Sequence, residues 1–181
     1  MYTPRAIYLV AGFLLTCIAS LSARSAQTSD TATKEAPPAV YVDKGACPFE
    51  CCTYREWTVQ KPTMVFDQPG GHVIAHLSQS ERVTALTGEV ISKPIAAKAN
   101  DDIPDTPIKK GDTFYILDYY GEGGWGIWFH GKKLTIDETY LTEDPRPRFQ
   151  YHWWAKIRDS RGKIGWVLAG NSNFSNQDAC G

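Results

Sequence analysis

The sequence predicts a mainly β domain assembled from many short strands. It does so through brief apolar or alternating runs, turn residues between those runs, and the lack of an amphipathic stretch three helical turns long. Thr58–Gln60 and Thr63–Phe66 are the first runs, separated by Lys61-Pro62. Asp67–Gly71 is a turn, because its proline and glycines supply the dihedrals a turn demands. Val73–Leu77 and Arg82–Leu86 follow across the polar link Ser78–Glu81, and Val90–Ser92 ends this series. Asn100–Pro107 is a loop by composition. Gly111–Tyr120 is apolar or aromatic on both faces, and Gly121–Gly124 turns it into Trp125–Phe129. Gly131 turns the chain again, and Asp144–Pro147 breaks any strand. In the closing hairpin, Trp154, Lys156 and Arg158 alternate with Ala155 and Ile157, so one face of that strand is buried and the other wet. Ser160-Arg161-Gly162 makes its turn, and the return strand ends on Trp166-Val167. Strands of this length and spacing indicate a small barrel or sandwich.

The amino end reads differently. Arg5 precedes the apolar run Ala6–Ala19, and small residues follow at Ser20, Ser22, Ala23 and Ser25. A positive flank, a short apolar core and a small-residue exit make a secretory signal over residues 1–25, with cleavage after Ser25 or Ser22. The run is too short for a membrane span. Leu14-Leu15-Thr16-Cys17 also resembles a bacterial lipobox, which would make Cys17 a lipidated first residue. Threonine fits that motif poorly, so plain export to the periplasm or beyond is favoured over a lipid anchor. Residues 26–44 are polar and carry a Pro-Pro pair, the composition of a flexible linker, and the folded domain is expected over 45–181.

The chain holds five cysteines, of which Cys47, Cys51, Cys52 and Cys180 lie beyond the leader. An even number in an exported chain implies two disulfides. A bond between the neighbours Cys51 and Cys52 is disfavoured by geometry. Either remaining pairing makes one small local loop and one bond from the start of the domain to its end. That long bond would contribute about 4 kcal/mol through chain entropy. Zinc is the weaker alternative, since thiols are oxidised outside the cytoplasm and no histidine is near in sequence. Nineteen basic and 20 acidic residues leave a net charge of −1, which marks out neither a nucleic-acid nor an anionic-lipid surface.

Two stretches are similar to bacterial SH3-like (SH3b-type) domains. The opening half is Met64–Leu77 with Glu81–Leu86, a strand, a proline-glycine loop and two apolar strands. The closing half is Trp154–Ile157 with Gly162–Val167. The likeness covers roughly residues 60–92 and 150–168. It implies a small SH3-like barrel, disulfide-stapled, and elaborated by an inserted β-hairpin region between the two halves. That insert is expected to extend the sheet or to form half of a second barrel, with one elaborated domain favoured over two. The resemblance also implies a non-catalytic binding module of the bacterial cell envelope, taking a peptide, peptidoglycan or protein partner. An inhibitor or assembly factor of another envelope protein is the alternative, and a hydrolase with an unrecognised site ranks lower.

Catalytic patterns are weak. His72, His76, His130 and His152 share no ligand spacing, and Glu50, Glu56, Glu89 and Glu122 lie in separate segments. Asp101, Asp102 and Asp105 lack the alternating oxygen pattern of a calcium loop. Gly121, Gly123, Gly124 and Gly126 serve hairpin turns and not a phosphate cradle. No cofactor, metal or catalytic residue is expected. The aromatics are the candidate chemistry, and Tyr120, Trp125, Trp128 and Trp153 are the ligand-binding candidates. Tyr120 and Trp125 flank a glycine turn, Trp128 faces away from Ile127, and Trp153 is expected outside with Trp154 buried on the side of Ile157, an assignment that a local bulge would reverse. Peptide mapping without reductant should find two disulfides, one joining Cys180 to the Cys47–Cys52 segment. Four free thiols or stoichiometric zinc would contradict that framework.

Overall fold

The computed structural model describes residues 35–170 and 172–180, so the leader, Cys17 and the first part of the expected linker lie outside the described residues. The chain is mainly β, with one curled half-barrel sheet and a second, smaller sheet. The strands of the large sheet are β1 (Tyr41–Lys44), β2 (Glu56–Val59), β3 (Thr63–Phe66), β4 (Val73–Leu77) and β5 (Arg82–Ser92). The insert supplies β6 (Ile95–Lys98), β7 (Thr113–Gly121), β8 (Gly124–Phe129) and β9 (Lys132–Asp137), then a 3-10 turn at Glu138–Tyr140. The large sheet resumes with β10 (Tyr151–Arg158), β11 (Ile164–Leu168) and β12 (Phe174–Ser175).

Its strand order is β12-β2-β5-β10-β11-β3-β4, with β1 also paired to β5. The insert forms its own sheet, β6-β7-β8-β9. It therefore does not extend the large sheet. Among the described residues ten strand pairings build the two sheets, and all are antiparallel.

Each sheet buries its own core. Under the large sheet lie Trp57, Val65, Leu77, Val83, Trp153, Ala155, Ile157 and Val167, together with Phe174. Trp57 and Trp153 meet edge to face at 5.6 Å, and Phe49 packs on Trp153 at the same separation. Such pairs add about 0.5–1.5 kcal/mol beyond the area they bury. The indole N–H groups are satisfied: Trp57 donates to the Thr53 carbonyl at 3.0 Å and Trp153 to the Tyr54 hydroxyl at 3.1 Å. The second core holds Phe114, Ile116, Trp125, Ile127, Phe129 and Ile136 from the small sheet, closed by Ile103, Ile108 and Phe149. The Asn100–Pro107 loop is thus anchored by Ile103, which is 5% exposed.

Strand β5 runs unbroken through what the sequence reads as two segments, because Gly88 sits inside its ladder. A Cβ there would lie 2.0 Å from the Tyr54 hydroxyl and 2.8 Å from Trp153 Nε1. Glycine is what lets the aromatic core close against the strand. Opposite, the β10 register slips between Lys156 and Ile157, leaving Leu86 as the extra residue of a bulge.

Two features staple this sheet. Cys47 bonds Cys52, and Cys51 bonds Cys180, with Cα–Cα distances of 5.5 and 5.6 Å. The second closes 129 residues of chain. It brings Asp178 beside Cys52 in an isolated antiparallel bridge, and Arg55 Nε donates to the Asn176 carbonyl at 2.9 Å.

The expected linker over residues 26–44 does not extend to Lys44. Tyr41–Lys44 pairs with Glu89–Ser92 as β1, since Tyr41 and Val42 favour an extended, half-buried chain. Gly88→Ala should lower stability by about 1–3 kcal/mol through overpacking. Denaturant unfolding monitored by tryptophan fluorescence checks this, and a midpoint equal to wild type would refute the close approach.

Candidate functional site

The structure divides the four candidate aromatics. Trp125 is fully buried in the second core, tilted against Tyr119 at 4.6 Å and edge-on to Phe149 at 5.6 Å. Trp153 is 4% exposed in the first core. Both expectations of ligand contact are corrected for one reason, strand alternation. Trp125 shares the inward face of β8 with Ile127 and Phe129, and Trp153 shares the inward face of β10 with Ala155 and Ile157. The expected burial of Trp154 is reversed by the same count. It lies half-buried on the outer face with Lys156.

Tyr120 and Trp128 do reach the outer face of the small sheet. Tyr120 is 45% exposed, while Trp128 is half-buried beneath the amino-terminal segment. The Trp128 indole N–H donates to the Glu35 carbonyl at 3.1 Å. Lys133, the cross-strand partner of Trp128, lies between them and 5.3 Å from the Tyr120 ring centre.

Lys133 is the centre of a lock between the sheets. Its Nζ donates to Asp118 Oδ2 at 2.9 Å and to the hydroxyl of Tyr41 on β1. The Asp118 side chain is only 3% exposed, and its Oδ1 has no hydrogen-bond partner among the described residues. That oxygen lies 1.6 Å from where a Cβ on Gly126 would stand, so glycine is required opposite it. Burial opposes the ammonium charge. Hydrogen bonds to Tyr120, Tyr41 and Asp118, with the carboxylate's own charge, outweigh burial and hold Lys133 above its ordinary value. Burial pushes Tyr41, Tyr120 and Asp43 up. The work of Lys133 is to tie β1 to the small sheet.

All four described cysteines are in disulfides, so the grouping of Cys51, Asp178 and Cys180 within 4.8 Å offers no pair of thiolates to a metal. The four histidines are exposed, with His72 near Asp67 at 3.7 Å and His130 near Glu35 at 3.9 Å. Asp102 accepts from the Lys110 amide at 3.0 Å and from Lys109 Nζ at 3.1 Å, and these bonds hold its carboxyl below the usual range.

What remains is the outer face of the large sheet. Phe66 and Trp154 meet edge to face at 5.3 Å, Trp166 pairs across strands with Phe66, and Lys156 Nζ lies 5.8 Å from the Trp166 ring centre. Exposed Met64, Val73, Ile164 and Leu168 lie on β3, β4 and β11. At one end, two clefts of about 330 and 320 Å³ both have His152 in their walls. Sequence reasoning missed Trp154, Trp166 and Phe66 as a set. The signal was present in the alternation of Trp154 with Lys156 and Arg158. No family model matches this chain, and neither a curated protein nor a solved structure does.

Replacing Lys133 by Met should cost about 1–3 kcal/mol by leaving the Asp118 carboxylate uncompensated. Adding Asp118→Asn should recover part of that loss. Because the folded Lys133 pKa is raised, its contribution is complete below the unfolded lysine value of about 10.4 and is lost as pH climbs through the folded value. The gap in melting temperature between wild type and K133M should therefore hold steady from neutral pH to about pH 10 and narrow above it. A gap that closes near neutrality would refute the lock.

Proposed function

We propose that this chain is a non-catalytic, exported binding module of a bacterial cell envelope, built on an elaborated SH3-like barrel. The observation that carries the reading is the outer face of the large sheet, where Trp154, Trp166 and Phe66 stay half-exposed although two complete cores lie elsewhere. Aromatic side chains left at a wet surface are the residues on which binding energy concentrates. Lys156 and Arg158 stand beside them on β10. An apolar centre with a charged fringe is the anatomy of a recognition surface.

The two disulfides support the export half of the reading, since such bonds persist in oxidising compartments. The curled sheet and the β10–β11 hairpin support the SH3-like half. The commitment of cysteines to disulfides and of Lys133 to Asp118 supports a binding role over a catalytic one. The partner expected on this face is a peptide, a peptidoglycan stem or an envelope protein.

Trp154→Ala and Trp166→Ala should each weaken retention of the mature protein on envelope fractions by roughly 5- to 30-fold, equivalent to about 1–2 kcal/mol. Their melting temperatures should stay close to wild type. Trp153→Ala should instead cost about 3–5 kcal/mol of stability. Unchanged retention in both outer-face variants would refute the assigned surface, and turnover of peptidoglycan or ester substrates that depends on a histidine or glutamate would refute the non-catalytic reading.

A further inference from the structure

The cleft of about 330 Å³ lies where the two sheets meet, walled by Val40, Ile91, Lys93, Arg148, Gln150 and His152. Val40 precedes β1, Ile91 lies on β5, His152 on β10 and Ile95 on β6, so residues of both sheets line it. Among the described residues, every ionisable group in the wall is a cation or an imidazole, and no carboxylate lines it. The whole chain carries a net charge of −1, so this concentration is local and not a general excess of base. Lys93, Arg148 and His152 are all solvent-exposed. Arg148 Nη2 also contacts Glu143, which uses one nitrogen of a guanidinium that has five N–H donors in a planar fork.

The cleft is continuous with the aromatic face. His152 and Trp154 are two positions apart on β10 and therefore share a face, about 7 Å from one another along the strand. Ile91, an apolar wall of the cleft, is the cross-strand partner of His152. A ligand lying along the aromatic stripe thus meets a cationic cleft at its end.

We infer that the cleft receives the carboxylate of a peptide whose apolar body lies on Trp154 and Trp166; this rests on the binding-module reading. The occupant is an anionic peptide because the guanidinium fork and the ammonium match a carboxylate by charge and geometry. Val40 and Ile91 supply an apolar wall for the aliphatic part next to it. The carboxylate has two sources, a chain end or an acidic side chain.

Three probes separate these possibilities: the acetylated tripeptide Trp-Ala-Ala as free acid, the same peptide as its amide, and acetylated Trp-Ala-Glu as its amide. Each is titrated into the mature protein while backbone amide shifts are followed by NMR. The free acid should shift the amides of Lys93, Arg148 and His152 and bind at least about tenfold more tightly than the Trp-Ala-Ala amide. That preference should vanish in Lys93→Gln/Arg148→Gln, and in Lys93→Glu alone, at unchanged melting temperature. Tight binding of the Glu peptide amide assigns the side-chain source, and its failure assigns the chain end. Trp154→Ala should weaken all three probes alike. Equal binding of all three probes, still sensitive to Trp154→Ala, would overturn the carboxylate assignment and leave the aromatic face standing. Absence of shifts with all probes, alongside normal retention on envelope fractions, would also remove the cleft from recognition. Loss of both would remove the binding-module reading itself.

Discussion

The two-residue period of β10 governs how this molecule divides inside from outside. Trp153, Ala155 and Ile157 point one way into the core, and Trp154, Lys156 and Arg158 point the other. Both of its neighbours depend on that count. Strand β5 carries a glycine where Trp153 and Tyr54 press against it, and β11 presents Trp166 opposite Lys156. A slip of one residue would bury two charged side chains and expose an indole now packed among Phe49, Tyr54 and Trp57. The bulge at Leu86 lies on the partner strand, so the inward and outward sets of β10 stay in phase across it.

The insert solves a different problem. A strand pair added to the edge of the curled sheet would need that sheet's core to cover it. The insert instead carries Phe114, Ile116, Trp125, Ile127 and Phe129, which close on one another and on Phe149. Its two hairpins turn through Glu122-Gly123 and His130-Gly131, with positive φ at all four residues. Paired positive φ is the mark of the tight turn that suits the twist of adjoining strands. Contacts at one place then fasten the unit to the large sheet. The buried Ser92 hydroxyl donates to the Leu117 carbonyl, and Lys133 reaches Tyr41. Both attach at or beside the carboxyl end of β5, where the chain leaves the large sheet.

Much of the strand framework was legible because apolar runs met clear punctuation. Thr63–Phe66 and Val73–Leu77 are strands with the ends that Pro62 and the Asp67–Gly71 turn suggest. Strands β1, β6 and β9 were not legible. Each is short or strongly polar, and each exists because a neighbouring strand offers its ladder. The site was less legible than the fold. Lys133 and Asp118 lie on different strands with β8 between them, and no local pattern announces their contact. The facing of paired aromatics was readable only by counting from the right neighbour. Counting from Ile157 places Trp153 inside, whereas proximity to a flexible turn wrongly places Trp125 outside.

The Cys51–Cys180 bond also decides how the molecule carries mechanical load. Tension applied between the amino-terminal segment and the carboxyl end would pass along the chain to Cys51 and cross directly to Cys180. The residues between them, which include both cores, would lie in a covalent loop parallel to the line of force and bear almost none of it. Only the part before that junction would be loaded, and its resisting element is β1, held by its ladder to β5 and by Tyr41 on Lys133. Pulling would strip away a single strand and then stop at sulfur, with the Trp154 face and both sheets still folded behind it.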